Sequence, residues 1–194
     1  MAVRIEKVFQ VKEPIDRVWV LLKNPRAVAN FVPGAKITEA VDDRTFKGAI
    51  SVKVGPTVTD FKGNLHVERL DEENYEIELL GKGQDVRGKS SASMKMTGKL
   101  STLPDGGTEV KTVSEVNVVG ILAQFGGRMI DDVSDVIFRE FVKRFQARLE
   151  QSGDAVETEP AATEPVNAVR VVSSALGHSV RRIFGGSDDS GENS

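Results

Sequence analysis

Apolar and polar residues alternate with a period of two through the middle of the chain, from Ile37 to Val119. In the clearest stretch, one face collects Phe46, Gly48, Ile50, Val52 and Val54, while Lys47, Ser51 and Lys53 fall on the other. The alternation recurs at Leu65 and Val67, at Tyr75, Ile77 and Leu79, at Met94 and Met96, and at Val116 and Val118. Turn-forming residues separate these stretches. The pattern predicts six antiparallel strands joined by hairpins, with one buried and one solvated face.

The segments on either side of this region predict one more strand and three helices. Residues 4–11 alternate Ile5, Val8 (with Phe9) and Val11 against charge, which predicts a strand, and Pro14 and Asn24-Pro25 each open a short helix. Residues 121–151 repeat apolar positions at spacings of three and four, which predicts one long helix. Its stripe contains Leu122, Phe125, Met129, Val133, Ile137, Phe141, Phe145 and Leu149. We therefore predict an α+β fold in which a curved antiparallel sheet wraps around a long C-terminal helix, with a cavity between them.

The sequence after this domain changes in composition. We predict a folded domain over residues 1–151, an acidic disordered linker over 152–165, a basic amphipathic helix over 166–184 and a disordered acidic tail over 185–194. On a helix, one face of the third segment is apolar and the other carries arginine. The predicted membrane-binding residues are Val169, Arg170, Val172, Leu176, Val180, Arg181, Arg182, Ile183 and Phe184. A membrane surface fits this face best; the alternatives are docking on the domain, docking in a groove on a partner protein, and disorder.

Charge and composition remove several classes of function. The net charge of the whole chain is −3, and that of residues 1–151 is about +1. The sequence therefore offers no broad basic face for nucleic acid. The chain has no cysteine, which excludes disulfides, thiolate metal sites and cysteine nucleophiles. No stretch has the length and purity of a membrane-spanning helix, and the N-terminus lacks the apolar run of a signal peptide. Any membrane association should therefore be peripheral.

Candidate catalytic chemistry is sparse. The chain has two histidines, and His66 has the opposite strand parity to Leu65 and Val67, so we expect it at the surface or rim. No histidine-based nucleophile pair or metal site can be assembled from these residues. Gly81-Lys-Gly83 does not match a phosphate-binding loop because strands flank it. We therefore expect a protein that is not an enzyme and has no catalytic residue and no metal.

Three strings carry a resemblance to a known family: VFQVKEPIDRVWVLLKNP at 8–25, FVPGAKI at 31–37, and VGILAQFGGRMIDDVSDVIFREF at 119–141. The first two resemble the helix-grip superfamily of START and polyketide-cyclase-like (SRPBCC) proteins. The third resembles, in particular, the family of carbon monoxide dehydrogenase G subunits. The resemblance implies an accessory protein that serves a molybdenum-containing carbon monoxide dehydrogenase. It also implies peripheral, reversible attachment to the cytoplasmic face of the bacterial inner membrane and a link to the quinone pool.

The resemblance implies menaquinone or another isoprenoid quinone as the bound ligand. We predict a cavity lined by Ile50, Val52, Leu65, Val67, Tyr75, Ile77, Leu79, Met94, Met96, Leu122, Phe125, Gly126 and Met129. The methionines suit a flexible prenyl chain, although filling of irregular core space explains them equally well. Candidate donors to the quinone carbonyls are Tyr75, Thr112, Ser114 and Gln124, among which the sequence does not choose.

Two adjacent glycines, Gly126-Gly127, are costly inside a helix. Three features would each explain their presence: the close approach of a ligand, the close approach of another chain, or an ordinary helix kink. Two other functions stay open. The domain could be a recruitment or assembly factor for the dehydrogenase that carries no ligand. A cyclase- or hydrolase-like enzyme would need convergent polar groups inside the cavity.

Overall fold

The computed structural model describes residues 1–54 and 57–153, with side chains through Gln151. The predicted amphipathic helix and acidic tail, and all but the first two residues of the predicted linker, lie outside the described residues and stay predictions. The elements in chain order are β1 (Ala2–Val11), α1 (Ile15–Leu22), α2 (Pro25–Ala29), β2 (Ala35–Ala40), β3 (Thr45–Val54), β4 (Thr57–Asp71), β5 (Glu76–Asp85), β6 (Ser90–Thr102), β7 (Thr108–Gly120), a 3₁₀ helix (Ile121–Phe125) and α3 (Gly126–Gly153).

The strands form one antiparallel sheet in the order β1-β7-β6-β5-β4-β3-β2. Every pair except β1–β7 joins consecutive strands, and the first strand completes the sheet by pairing with the last. α3 lies on the concave face and approaches β1 and β3 most closely. The predicted α+β helix-grip fold is therefore confirmed, including its seven strands and the order of its elements.

The inward face of β1 settles a choice that the sequence left between two adjacent apolar residues. Ile5 and Val11 are buried as expected, but Val8 is exposed and Phe9 lies inward in its place. Side chains on a strand alternate between faces, so residues 5, 9 and 11 share one face and residue 8 cannot join them. The ring of Phe9 makes edge contacts with Phe138, Phe141 and Phe145 of α3, at centroid distances of 5.8–6.0 Å.

The start of the long helix differs from the prediction. Residues 121–125 form a 3₁₀ helix, and α3 begins only at Gly126. Gly126 ends the 3₁₀ turn with φ 80° and ψ 167°, and Gly120 precedes it with φ 85° and ψ −154°. These are backbone conformations that only glycine adopts readily. The interpretation of Gly126-Gly127 as an interruption inside a helix was wrong, because the first glycine is the junction between two helices.

Two hydrophobic clusters hold the helices against the sheet. The first surrounds Phe145, Trp19 and Phe31, where α1, α2 and the C-terminal half of α3 meet the sheet. The second surrounds Phe61, Val118 and Leu122 beneath the start of α3. Phe145 is fully buried, and its ring stacks on Phe141 at a centroid distance of 5.7 Å. The core of this fold is thus divided along the length of α3.

Within the described residues, no helix is long and apolar enough to cross a membrane.

Candidate ligand-binding site

Small residues form a row across the concave face between the two clusters. Gly48 of β3 pairs with Gly63 of β4, and Gly63 pairs with Gly83 of β5. Gly83 in turn pairs with Ala92 of β6. A Cβ atom on Gly63 would lie 1.9 Å from the Lys82 carbonyl oxygen, so the sheet bends too tightly there for any side chain. The three glycines therefore allow the strong curvature of the sheet and place no side chain in the space beneath α3.

Methionine and serine side chains lie beside this row. Met94, Met96 and Ser114 are half-buried and face α3 from β6 and β7. Met96 packs against the first cluster, whereas Met94 belongs to neither among the described residues. From the other side, Met129 and Val133 of α3 pack against the second cluster. This arrangement gives the middle of the concave face an apolar, adaptable lining that retains accessible surface.

The predicted lining residues divide among three environments. Most lie on the concave face: Val67, Ile77 and Leu79 are buried in the first cluster with Leu65 and Met96 against it, while Leu122 is buried in the second with Ile50, Val52 and Met129 against it. Met94 lies between the clusters. Phe125 and Gly126 lie at the end of the domain, where Phe125 is 40% exposed. Tyr75 lies apart from both groups, in the turn before β5.

Tyr75 is not part of a strand, contrary to the prediction. It occupies the turn before β5 with φ 53°, and its ring makes an edge contact with Trp19 of α1 at 5.7 Å. Its hydroxyl donates to the Asp16 carboxylate at 2.5 Å. That hydrogen bond raises the pKa of Tyr75 above its usual value. The hydroxyl is therefore engaged at the α1 end of the fold and is a poor donor for a ligand beneath α3.

The other proposed donors have distinct surroundings. The Thr112 hydroxyl donates to the Lys7 carbonyl at 3.5 Å, and Gln124 is exposed on the 3₁₀ helix. Ser114 is in register with Ile5 and Met96, which places its hydroxyl on the concave face. Of the four candidates, Ser114 has the position that a ligand beneath α3 requires.

One buried donor, the indole of Trp19, was not predicted from the sequence. The residue is 4% exposed, and its Nε1–H has no acceptor among the described residues. An unsatisfied buried donor costs roughly 1–3 kcal/mol, so a ligand carbonyl at this point would be favoured. No sequence signal identifies it, because the deficit depends on which acceptors the folded chain brings near.

Lys7, which was not predicted either, lies inward on β1 between Ile5 and Phe9. Its ammonium forms an ion pair with Asp135 of α3 and lies 6.0 Å from the centre of the Phe138 ring. The hydrogen bond from Lys7 lowers the pKa of the Asp135 carboxyl. Asp135 thereby joins α3 to the edge strand. Strand parity places residue 7 inward with residues 5 and 9 and could have revealed it.

Two grooves lie outside the space between the sheet and α3. One, of about 480 Å³, runs along the flank of α3 beside Phe9 and Phe138. The other, of about 390 Å³, lies on the convex face of the sheet near Lys62, Ser93 and Asn117. His66 also lies on the convex face, where its Nδ1 is 3.0 Å from the Thr45 hydroxyl. Within the described residues, no group of three or more histidine, aspartate or glutamate side chains could hold a metal ion.

Comparison with known proteins gives a family and a fold. The family of carbon monoxide dehydrogenase G subunits (CoxG) matches residues 8–150. No curated protein matches the chain. Among solved structures, a conserved protein from Geobacillus kaustophilus has a TM-score of 0.70 at 19% identity, covering 77% of this chain and 97% of that one.

Two further structures share the fold at lower similarity. The Zhui aromatase/cyclase from Streptomyces sp. R1128 has a TM-score of 0.60 at 15% identity and covers 81% of this chain and 99% of its own. A START superfamily protein from Mycobacterium smegmatis has a TM-score of 0.54 at 12% identity and covers 77% of this chain and 98% of its own. At these identities the likeness shows the helix-grip fold alone.

Proposed function

Because the chain belongs to the family of carbon monoxide dehydrogenase G subunits, we propose that it holds an isoprenoid quinone beneath α3 and links the dehydrogenase to the membrane quinone pool. Membership of the family indicates an accessory role beside a carbon monoxide dehydrogenase. The proposal adds the ligand, menaquinone or a similar quinone, and the membrane as its source. It also takes the dehydrogenase to be the molybdenum enzyme, with the chain on the cytoplasmic face of the inner membrane. The chain itself performs no chemistry in this proposal; it binds and delivers.

The proposal is supported chiefly by the row of small residues between two separate hydrophobic clusters. A single continuous core would fill the concave face with large side chains, whereas here Gly48, Gly63 and Gly83 contribute none. The half-buried Met94 and Met96 offer polarizable, flexible walls to a prenyl chain. The hydroxyl of Ser114 on the concave face is the donor that supports recognition of a quinone carbonyl. The unsatisfied indole of Trp19 lies at the α1 end, beside Tyr75, and is a second candidate donor.

Filling the space from the sheet side tests the pocket. A Cβ atom on Gly81 would meet Met94 side-chain atoms at 3.5 and 3.8 Å, an ordinary contact, so Gly81→Leu should fold and place its side chain beneath α3. We expect this variant to lose bound quinone in native mass spectrometry and in solvent extracts. Lys82→Leu places a leucine side chain at the adjacent, exposed position on the convex face and should retain the ligand. Equal quinone content in both variants would contradict a pocket at this position.

The Trp19 donor has its own test. Trp19→Phe keeps an aromatic ring and removes the N–H, so we expect weaker quinone binding with no loss of a hydrogen bond in the free protein. One hydrogen bond of about 1 kcal/mol corresponds to roughly a fivefold change in affinity. Unchanged affinity, measured by extraction of bound quinone at a series of total quinone concentrations, would show that the indole does not face the ligand.

The proposed membrane attachment depends on residues 166–184, which lie outside the described residues. The six predicted apolar membrane-binding side chains together with Val166 could contribute gross stabilisation of about 5–10 kcal/mol, offset in part by ordering of the segment. We expect the full-length chain to float with anionic liposomes, and Leu176→Asp/Ile183→Asp to leave a much larger share of the protein in the buffer. Equal flotation of the two proteins would contradict attachment through this segment.

A second function is supported by the position of the grooves. Both described grooves lie outside the sheet–helix space, on surfaces where a protein partner could bind. A recruitment or assembly factor for the dehydrogenase would use such surfaces and need no ligand. Capture of the dehydrogenase at wild-type strength by Gly81→Leu, together with empty wild-type protein, would favour this function over quinone carriage.

A further inference from the structure

The domain has one end that is apolar and basic. Backbone hydrogen bonds link three segments there: Val86 N–H donates to the Asp60 carbonyl at 2.9 Å, and Ile121 N–H donates to the Lys89 carbonyl at 3.1 Å. The β5–β6 turn (86–89), the end of β7 and the 3₁₀ helix are thereby held together beside the base of β4. We call this surface the apolar end, and its exposed apolar residues are Val86, Val119, Ile121 and Phe125.

The exposure of these side chains is large for apolar residues. Val86 is 52% exposed, Ile121 48% and Phe125 40%. They occupy neighbouring surface segments of one end, so they form a patch, and patches of this kind mark interaction sites. The glycine conformations at 120 and 126 hold the 3₁₀ helix between them so that Leu122 points inward while Ile121 and Phe125 point out.

The charge around the patch identifies its partner. Residues 86–89 and 121–125 contain Arg87 and Lys89 and no acid, and Arg128 follows in the first turn of α3. The neighbouring Asp85 is buried, at 7% exposure. The opposite end differs, because its three hairpin turns (41–44, 72–75 and 103–107) hold Asp42, Asp43, Glu72, Glu73 and Asp105 against one base, Arg44. Apolar side chains with Arg87, Lys89 and Arg128 beside them match the interface of an anionic bilayer.

We propose that the apolar end docks on an anionic lipid surface, with Ile121, Phe125 and Val86 entering the interface and Arg87 and Lys89 against the headgroups. This inference rests on the proposed function and extends it, because it places the start of α3 and the second cluster next to the lipid that supplies the quinone. The domain then has a membrane contact of its own, separate from residues 166–184.

The absence of cysteine from the sequence allows a site-specific test in the full-length protein. Gln124→Cys, exposed on the 3₁₀ helix, is labelled with a solvent-sensitive fluorophore, and Asp43→Cys provides the matched label at the opposite end. With phosphatidylglycerol-containing vesicles we expect the label at 124 to move into an apolar environment and to be quenched by acyl-chain quenchers. The label at 43 should remain in water, and vesicles of phosphatidylcholine alone should give a weak response at both positions.

Two variants in the Gln124→Cys background separate the apolar and charge contributions. Each basic residue near anionic lipid strengthens binding about fivefold, so Arg87→Gln/Lys89→Gln should lower the ratio of inserted to withdrawn label about 25-fold. Ile121→Asn/Phe125→Asn should abolish insertion, whereas Val41→Asn, an exposed valine at the acidic end, should leave it unchanged. Circular dichroism and the denaturation midpoint confirm that each variant is folded.

Several results would overturn the inference. The chain could float with vesicles while the label at 124 stays in water, which would leave residues 166–184 as the attachment and remove the domain contact. The label could instead become buried on raising protein concentration without vesicles, or only on adding the dehydrogenase, and either result would make the apolar end a protein interface. Quinone content is measured separately, so failure of docking and failure of quinone binding are distinguishable.

Discussion

The two adjacent glycines at the start of α3 should respond oppositely to the same substitution. Gly126 has φ 80° and ψ 167°, a region open to glycine and strained for alanine, and a Cβ atom there would meet nothing within 4 Å. Gly127 has a helical backbone, and its Cβ would lie 3.6 Å from the Val3 side chain, an ordinary contact. Steric clash is therefore absent at both positions, and backbone conformation alone separates them.

The magnitudes follow from that difference. Alanine at 126 must hold a sparsely populated conformation or distort the junction, at a cost of about 1–3 kcal/mol. Alanine at 127 reduces the freedom of the unfolded chain and should stabilise by about 0.4–1 kcal/mol. Gly126→Ala and Gly127→Ala should thus differ by about 1.5–4 kcal/mol in the free energy of unfolding.

Urea denaturation followed by circular dichroism measures this difference. With a slope of about 2 kcal/mol per molar urea, a loss of 2 kcal/mol lowers the midpoint by about 1 M. The slope should be the same for both variants. If Gly126→Ala were as stable as the wild type, or if both alanines stabilised equally, the 3₁₀–α junction described above would be wrong and a continuous helix from residue 121 would be correct.

Two further predictions concern the core and pH. Phe145→Ala removes the fully buried ring that contacts Phe9, Phe31 and Phe141, and it should cost about 3–5 kcal/mol in urea denaturation; a cost below about 1 kcal/mol would contradict this packing. The pKa of Asp71 is lowered to about 2 by hydrogen bonds from Asn74 and Arg69. Its folded pKa is depressed, so its contribution to stability is present above about pH 4 and lost as the pH falls toward about 2. Asp71→Asn should therefore be less stable than wild type at about pH 5, and the gap should close near pH 2; a gap that is constant with pH would refute the assignment.

The strand pattern could be predicted from sequence because it depends on local alternation. Residues 46–54 and the later strands alternate cleanly, and each was placed on the correct face. Residues 8 and 9 are both apolar, so alternation alone left two choices at that point, and the aromatic contacts with α3 decide in favour of Phe9. Long-range packing thus resolved an ambiguity that the local pattern contained.

Features that depend on backbone conformation or on distant partners could not be predicted. Gly126 was predicted inside a helix because its flanks have helical periodicity, and only its φ angle shows the junction. Tyr75 continues the alternation of Ile77 and Leu79, but its hydroxyl bonds to Asp16, which is 59 positions away. The unsatisfied indole of Trp19 depends equally on the folded surroundings.

The candidate site could be predicted in its general position and not in its polar chemistry. Apolar residues on the concave face follow from strand parity, and the string at 119–141 directs attention to the start of α3. The row formed by Gly48, Gly63 and Gly83 becomes visible only when the register across three strands is known. The contact of the predicted lining residues with a quinone stays a prediction.

The unequal distribution of charge between the two ends of the domain has a kinetic consequence. A negatively charged bilayer attracts the end bearing Arg87 and Lys89 and repels the turns bearing Asp42, Asp43 and Glu72, so the molecule experiences a torque before any contact is made. The torque acts within a Debye length, about 8 Å at physiological ionic strength. Productive collisions should therefore be more frequent than random tumbling allows, and raising the salt concentration should slow capture of the domain by vesicles more than it hastens release.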